Sequence, residues 1–493
     1  MKGLTTMKKL AILALPLLAL AQPAVAFQAE PAQETTMPID AGAVDVPSQA
    51  DTETILLDHI RILASDDYLG RKPGTEGGRM TVAYQVEKLK EYGFEPGWNG
   101  SFEQEVPFTA AMAPKLTVTA AGTEITSNDL LALQGNTDFA DVELVTVASA
   151  DDVDEGVDGK LLVFNDFSLA RSLAQTAVAE GARGAIILAP AAMVEQFRPG
   201  ATRERVSLKQ AGDDAGGPNF IVVGPEAAEK LKTALGGELS GKISGTYTAT
   251  GRDFTSSNVI GKLPGSRPEA GAIVMLAHWD HTGECGAPDD EDRICNGAAD
   301  NASGIAAMLE TARRLAQGPQ LERDVYILGT TAEEMGLLGA RYFAENPPVP
   351  LAQIHAALNI DMISIAPEGK PLTVIGWKRT PLDASIEGVA ASLGRTVEVG
   401  EESDLYVRRQ DGWALMNRGV PSVLVSSSFG DKDILDAFMS TRYHRANDEI
   451  WEGFELGGAA EDVPVYVALM RHWATEALYS KPEGWAFEDG AGE

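Results

Sequence analysis

Gly271–Glu284 reads GAIVMLAHWDHTGE, an apolar run that passes without a polar break into His278, Asp280 and His281. The chain holds only six histidines, so two of them around Trp279-Asp280 mark a place where imidazole is wanted. A half-buried strand alternates apolar and polar residues, whereas an unbroken apolar run belongs to a strand covered on both faces. Outward from this stretch, strand and helix patterns repeat. Strands are expected at 272–278, 324–330, 356–361 and 420–426, and helices at 302–316, 336–345 and 458–478. In the first of these helices Ile305, Met308, Leu309, Ala312 and Leu315 fall on one face. The pattern predicts an α/β sheet between helical layers, whose functional residues gather beyond the carboxyl ends of strands.

Upstream the character changes. From 114 to 251, short β-branched runs such as KLTVTA, VELVTVA and RGAIILA alternate with Gly/Asp turns and one helical stretch, SLAQTAVAEGA. This segment reads as a mainly β domain inserted between two segments of the α/β domain, 53–113 and 252–480. Before it lie two amphipathic helical patterns separated by the glycine-rich DDYLGRKPGTEGGRM. Residues 27–52 read as a flexible leader and 481–493 as a C-terminal tail. At the N-terminus, Lys8-Lys9, an apolar run and Ala24-Val25-Ala26 form a secretory signal over 1–26. Its apolar run is shorter than the roughly 20 residues a membrane span needs, and no other stretch reads as one. An exported protein, periplasmic or secreted, is expected. In an oxidising compartment Cys285 and Cys295 could form a disulfide, and a free pair is the alternative. The net charge of −32 over 493 residues argues against nucleic acid and anionic membranes as partners.

Polar residues collect at the strand ends. His278 and Asp280 follow the first strand, Asp300 lies in NGAADNASG, Glu333 and Glu334 in TTAEEMG, Asp361 in NIDMI, and Tyr443 and His444 in TRYHRANDE. Singly, Asp300 suits a helix cap, the glutamate pair a helix start, and His444 a surface position. Asp361 sits within an apolar run, where a carboxylate needs a counter-charge or a metal. Together, two imidazoles and three carboxylates suit zinc. One carboxylate can bridge two ions, and one of the adjacent glutamates can ligate while its neighbour acts as a base.

The motifs LASDDYLGRKPGTEGG, SSNVIGKLPGS, AHWDH, NGAADNASG, TAEEMGLLGA, NIDMI and YHRANDE resemble those of the co-catalytic di-zinc aminopeptidases. That family includes bacterial leucyl aminopeptidases and, more distantly, glutamate carboxypeptidase II and the transferrin receptor ectodomain. The segment with VDGKLLVF and AQTAVAEGARGAIILA resembles a protease-associated domain. The resemblance implies a three-layer α/β/α catalytic domain that hydrolyses N-terminal residues from peptide substrates with two zinc ions. It implies that His278 and Asp361 hold one zinc, Glu334 and His444 the other, and that Asp300 bridges them. Glu333 would be the base for the water between the metals, Asp280 would orient the His278 ring, and Tyr443 would donate to the developing oxyanion. His281 is expected in the cleft rather than among the ligands. One departure concerns ESDLYVRRQDGWALMNRGVP, where Leu405 replaces the histidine of an SDH motif and Asp404 remains. Arg408 and Arg409 of this stretch read as surface residues, with contact to a substrate carboxylate as the alternative. The competing functions are a carboxypeptidase or dipeptidase, a glutaminyl-cyclase-like enzyme, and a non-catalytic binding ectodomain.

Overall fold

The computed structural model describes residues 47–487 apart from 113–114, 135–137, 154–155, 203, 210–218, 249–250, 287–288 and 401. The expected signal over 1–26, most of the leader and the end of the tail lie outside the described residues. No helix among the described residues is long and apolar enough to cross a membrane.

Helix α1 (Gln49–Leu63) starts ahead of the boundary expected at 53, because the Ser48 side chain accepts the Asp51 N–H and caps it. Helix α2 (Glu76–Glu91) follows. Between them, Leu69, Gly70 and Arg71 all have positive φ. A Cβ on Gly70 would lie 2.4 Å from the Cys295 carbonyl oxygen, so glycine is required for this turn to pack against the Cys285–Cys295 hairpin. These two cysteines are disulfide-bonded.

The larger sheet contains β1 (Glu95–Pro96), β2 (Glu103–Met112), β3 (Glu204–Leu208), β4 (Gly251–Leu263), β5 (Ala272–His278), β6 (Asp324–Thr330), β7 (Ile354–Asn359), β8 (Thr373–Ile375) and β9 (Ser422–Ser426). Their spatial order is β8-β9-β7-β5-β6-β4-β2-β3, with β1 beside β4. The four strands β9, β7, β5 and β6 are parallel, and their flanks pair antiparallel. All seven residues of β5 are buried. Ile273, Met275 and Ala277 pack with α1, α2, α3 (Gly304–Gln317) and α5 (Gly457–Ala474). Ala272, Val274 and Leu276 pack on the other face with Ala340 and Phe343 of α4 (Leu338–Glu345). The unbroken apolar run thus reflects cover on both faces, each buried aliphatic side chain contributing about 1.5–3 kcal/mol. From β5 the chain crosses to β6 on one side and later to β7 on the other. That reversal opens a crevice at the carboxyl ends of the strands, the place where α/β sheets bind ligands.

A second, eight-stranded sheet is built within residues 115–248, and its central strands are parallel. Three helices flank it, Phe167–Ala179, Ala191–Thr202 and Pro225–Ala234, where the sequence pattern indicated one. The two additional helices are short, and their small alanine-rich apolar faces give weak periodicity. Strand β3 also departs from the expected partition, since it leaves this segment to pair with β2 of the larger sheet.

Candidate metal centre

His278 is the last residue of β5. Its Nδ1 lies 3.1 Å from the Asp280 carbonyl oxygen. A carbonyl only accepts, so Nδ1 carries a proton, and in the neutral ring Nε2 offers its lone pair. That Nε2 lies 3.3 Å from Asp300 Oδ1 and 3.4 Å from Asp361 Oδ1. On the far side of Asp300, Oδ2 lies 3.3 Å from His444 Nε2, and Glu334 Oε2 lies 2.9 Å from the same nitrogen. The two Asp300 oxygens therefore face different imidazoles, the arrangement a bridging carboxylate needs.

Local folding explains these positions. Asp300 does not cap the helix after it. Its backbone is non-helical, and Asn301 Oδ1 accepts the Gly304 N–H at 2.9 Å and the Met362 N–H at 3.3 Å. The Asp300 carboxylate is left for the crevice. Glu333 and Glu334 follow β6 in a turn held by Asp280, whose carboxylate accepts both of their backbone N–H groups, at 3.0 and 3.4 Å. This differs from the expected role of Asp280. Its side chain is 3.9 Å from the His278 ring, and its own carbonyl does the orienting, because the tight turn brings the carbonyl closer. His444 sits in left-handed backbone, φ 57°, with the Tyr443 ring stacked on it at 3.7 Å.

Burial disfavours charge on His278, yet Asp361, Glu333 and Asp300 hold its pKa well above the ordinary imidazole value. His444 is likewise desolvated, and Asp300 and Glu334 push it up to about 10. Burial raises Glu333 well above the usual carboxylate range; His278 opposes this and Asp411, Glu334 and Asp361 reinforce it. Asp280 is pushed up to about 7, first by burial. Burial also raises the Tyr443 hydroxyl, with Asp300 and Glu334 adding to it. Such a concentration of buried negative charge calls for cations. The donor chemistry fits zinc: separations of 3.3–3.4 Å match the ligand–ligand edge of about 3.3 Å implied by tetrahedral bonds of about 2.0–2.1 Å. Asp361 Oδ1 and Glu334 Oε1 accept no hydrogen bond among the described residues. Two donor sets satisfy metal-binding proximity, His278/Asp300/Asp361 and His281/Asp300/Glu334.

The cluster brings together all eight candidates. It also draws in His281, which was expected at the margin; that ring is fully buried with Nδ1 2.8 Å from Glu334 Oε1. Three further residues escaped the sequence reading. Asp448 accepts the Ala299 and Asp300 N–H groups at 3.0 and 3.1 Å, tying the His444 segment to the Asp300 turn. Arg71 is buried and donates to the carbonyls of Leu63, Trp279, Asn296 and Gly297 at 2.5–2.9 Å; burial lowers its pKa to about 10. Asp411 is buried and accepts the Thr330 hydroxyl at the end of β6. Asp404, which the sequence reading singled out, is instead exposed and paired with Arg379. The only signal for Asp448 was its nearness to His444, and for Asp411 the run of small and apolar residues after it.

Residues 258–459 match the sequence profile of peptidase family M28. The chain is 27% identical over 358 residues to a probable lipoprotein aminopeptidase, LpqL, of Mycobacterium tuberculosis, covering 69% of this chain and 65% of that protein. It is 30% identical over 193 residues to leupeptin-inactivating enzyme 1 of Streptomyces exfoliatus, covering 37% and 40%. The chain thus spans less than two thirds of the length of either relative. Among solved structures, an aminopeptidase from Aneurinibacillus sp. strain AM-1 shares the fold with a TM-score of 0.52 and 20% identity, covering 90% of this chain and 99% of that one.

Proposed function

From the match of residues 258–459 to peptidase family M28, we propose that the chain is an exported zinc aminopeptidase of that family, removing N-terminal residues from peptides. The observation that carries this reading is the Asp300 carboxylate, shared between a His278/Asp361 pair and a Glu334/His444 pair, with Glu333 beside them. His278 and Asp361 would hold one zinc, Glu334 and His444 a second, and Asp300 both. When bound, the ions would polarise the scissile carbonyl and acidify the attacking water.

The chain's own residues do the rest. Glu333, at the cavity wall, takes a proton from the water and returns one to the leaving amine. Burial shifts its pKa upward from the ordinary carboxylate value, the direction that strengthens a carboxylate as a base. Asp280 fixes the Glu333-Glu334 backbone, so base and ligand keep their spacing. Tyr443 keeps its phenolic proton and lines the same cavity, where it donates to the oxyanion as charge develops. Residues 114–251 serve as an inserted protease-associated-like domain, and the N-terminal segment directs export.

The test is a panel of aminoacyl and N-blocked peptides, assayed with and without a chelator, together with elemental analysis of zinc per chain. Cleavage of free N-termini, lost on chelation and restored by zinc, is expected with two zincs bound. Cleavage of blocked peptides alone would overturn the aminopeptidase reading.

A further inference from the structure

The crevice beside the metal centre is narrow, with about 20 Å³ of room for a water-sized molecule. One side carries His278, Asp300, Glu333 and Asp361; another is apolar, with Leu424, Phe429 and Met439. Arg409 lines it too. Nothing in the metal chemistry uses this cation, and its surroundings do not neutralise it. Nearby Arg379 pairs with Asp404 at 2.9 Å, whereas among the described residues Arg409 forms no ion pair and no hydrogen bond. It is therefore not the counter-charge of the acidic cluster, although both face one cavity.

The Arg409 side chain is exposed and approaches an aromatic ring. The guanidinium lies 5.4 Å from the centroid of the Tyr406 ring, and Tyr406 meets buried Phe429 edge-to-face at 5.4 Å. The turn that carries Arg409 is tied down by Gln410, which donates to the Val407 carbonyl at 3.3 Å and accepts the Gly412 N–H at 2.7 Å. A stacked guanidinium keeps its planar edge open for a bidentate acceptor and loses little freedom on pairing. Carboxylates are the acceptors that match this fork.

Taking the cleft as that of a peptidase, we infer that Arg409 receives a carboxylate of the substrate and selects peptides that present one within this cavity. Two sources share that chemistry: the side chain of an N-terminal glutamate or aspartate, and the terminal carboxylate of a short peptide. The zinc-loaded full chain and its Arg409→Gln and Arg409→Lys variants are assayed on matched pairs. Glutamyl against glutaminyl p-nitroanilide isolates the side chain. Leucyl-leucine against its C-terminal amide isolates the terminus, and the N-acetylated form of this second pair is included. For one pair, Arg409→Gln should lower the acid-to-neutral ratio of kcat/KM by about tenfold or more, with Arg409→Lys between it and wild type. The pair that responds identifies the source. If neutral substrates turn over but neither ratio moves on substitution, the Arg409 inference falls and the aminopeptidase reading stands. If only the acetylated pair is cleaved, the aminopeptidase reading falls, and the acid-to-amide ratio on that pair still decides Arg409. A chain that cleaves none of them overturns both.

Discussion

Glu333 and Glu334 are neighbours with opposite environments. Glu334 approaches two imidazoles, at 2.8 and 2.9 Å, while among the described residues Glu333 forms no ion pair, and its pKa rises. Glu333→Gln keeps the shape and removes the base, so kcat should fall by about 10²–10⁴-fold with zinc content by elemental analysis unchanged. Loss of zinc in that variant would instead make Glu333 a ligand. Asp448 acts one layer out, since its carboxylate holds the Ala299 and Asp300 N–H groups. Asp448→Asn can satisfy only one of them with an oxygen, and zinc affinity in chelator competition should weaken by about 10–100-fold. Unchanged affinity would reduce Asp448 to a loop anchor. The ligand types were legible in sequence because each polar residue interrupts or ends an apolar run. Asp448, Arg71 and Asp411 were not, because they sit in loops and short turns without periodicity and most of their partners lie far away in sequence.

At the level of elements, β5 and β6 coincide with the stretches expected from sequence, because a strand buried on both faces is apolar throughout. Helix starts are less legible, as α1 and α3 show: one is set by Ser48, the other delayed to Gly304 by the irregular turn at Asp300. The contact between α1 and α2 carries its own consequence. His59 Nδ1 lies 2.5 Å from the Tyr84 hydroxyl, and burial, with help from Lys88, lowers its pKa to about 4. Unfolded, the ring titrates near its ordinary 6.5. Above about pH 6.5 both states are neutral and the full stability is present. As pH falls from there towards 4, the unfolded chain takes up a proton that the folded chain refuses, and stability is lost. Each unit of pKa difference is worth about 1.4 kcal/mol, so His59 accounts for about 2–3 kcal/mol of the loss between pH 6.5 and 4.5. In His59→Gln, whose side chain does not titrate, urea unfolding at those two pH values should differ by that much less than in wild type. An equal difference would show that His59 is not the titrating group.

Across the whole molecule, the two sheets have separate cores. Ile273, Met275 and Leu358 lie in the one that supports the metal centre. Leu161, Val163 and Ile221, and Leu162, Phe164 and Val222, belong to the smaller sheet, which holds none of the candidate ligands. The chain passes between them through β2 and β4 and the short strand β3. Zinc bound at His278, Asp300, Glu334, Asp361 and His444 would stabilise only the native form of the larger part. Mass action sets the size: a ligand at about 1,000 times its Kd adds about 4 kcal/mol, and with Tm moving about 2 °C per kcal/mol in a part this large, chelation should lower its transition by on the order of 8 °C. Calorimetry of the full chain should therefore resolve two transitions, with one shifting on chelator treatment and returning with zinc while the other stays fixed. A single transition that moves as a whole would mean the β2, β3 and β4 connections couple the cores into one cooperative unit. Two fixed transitions would mean that the acidic cluster holds no structural share of the metal's binding energy.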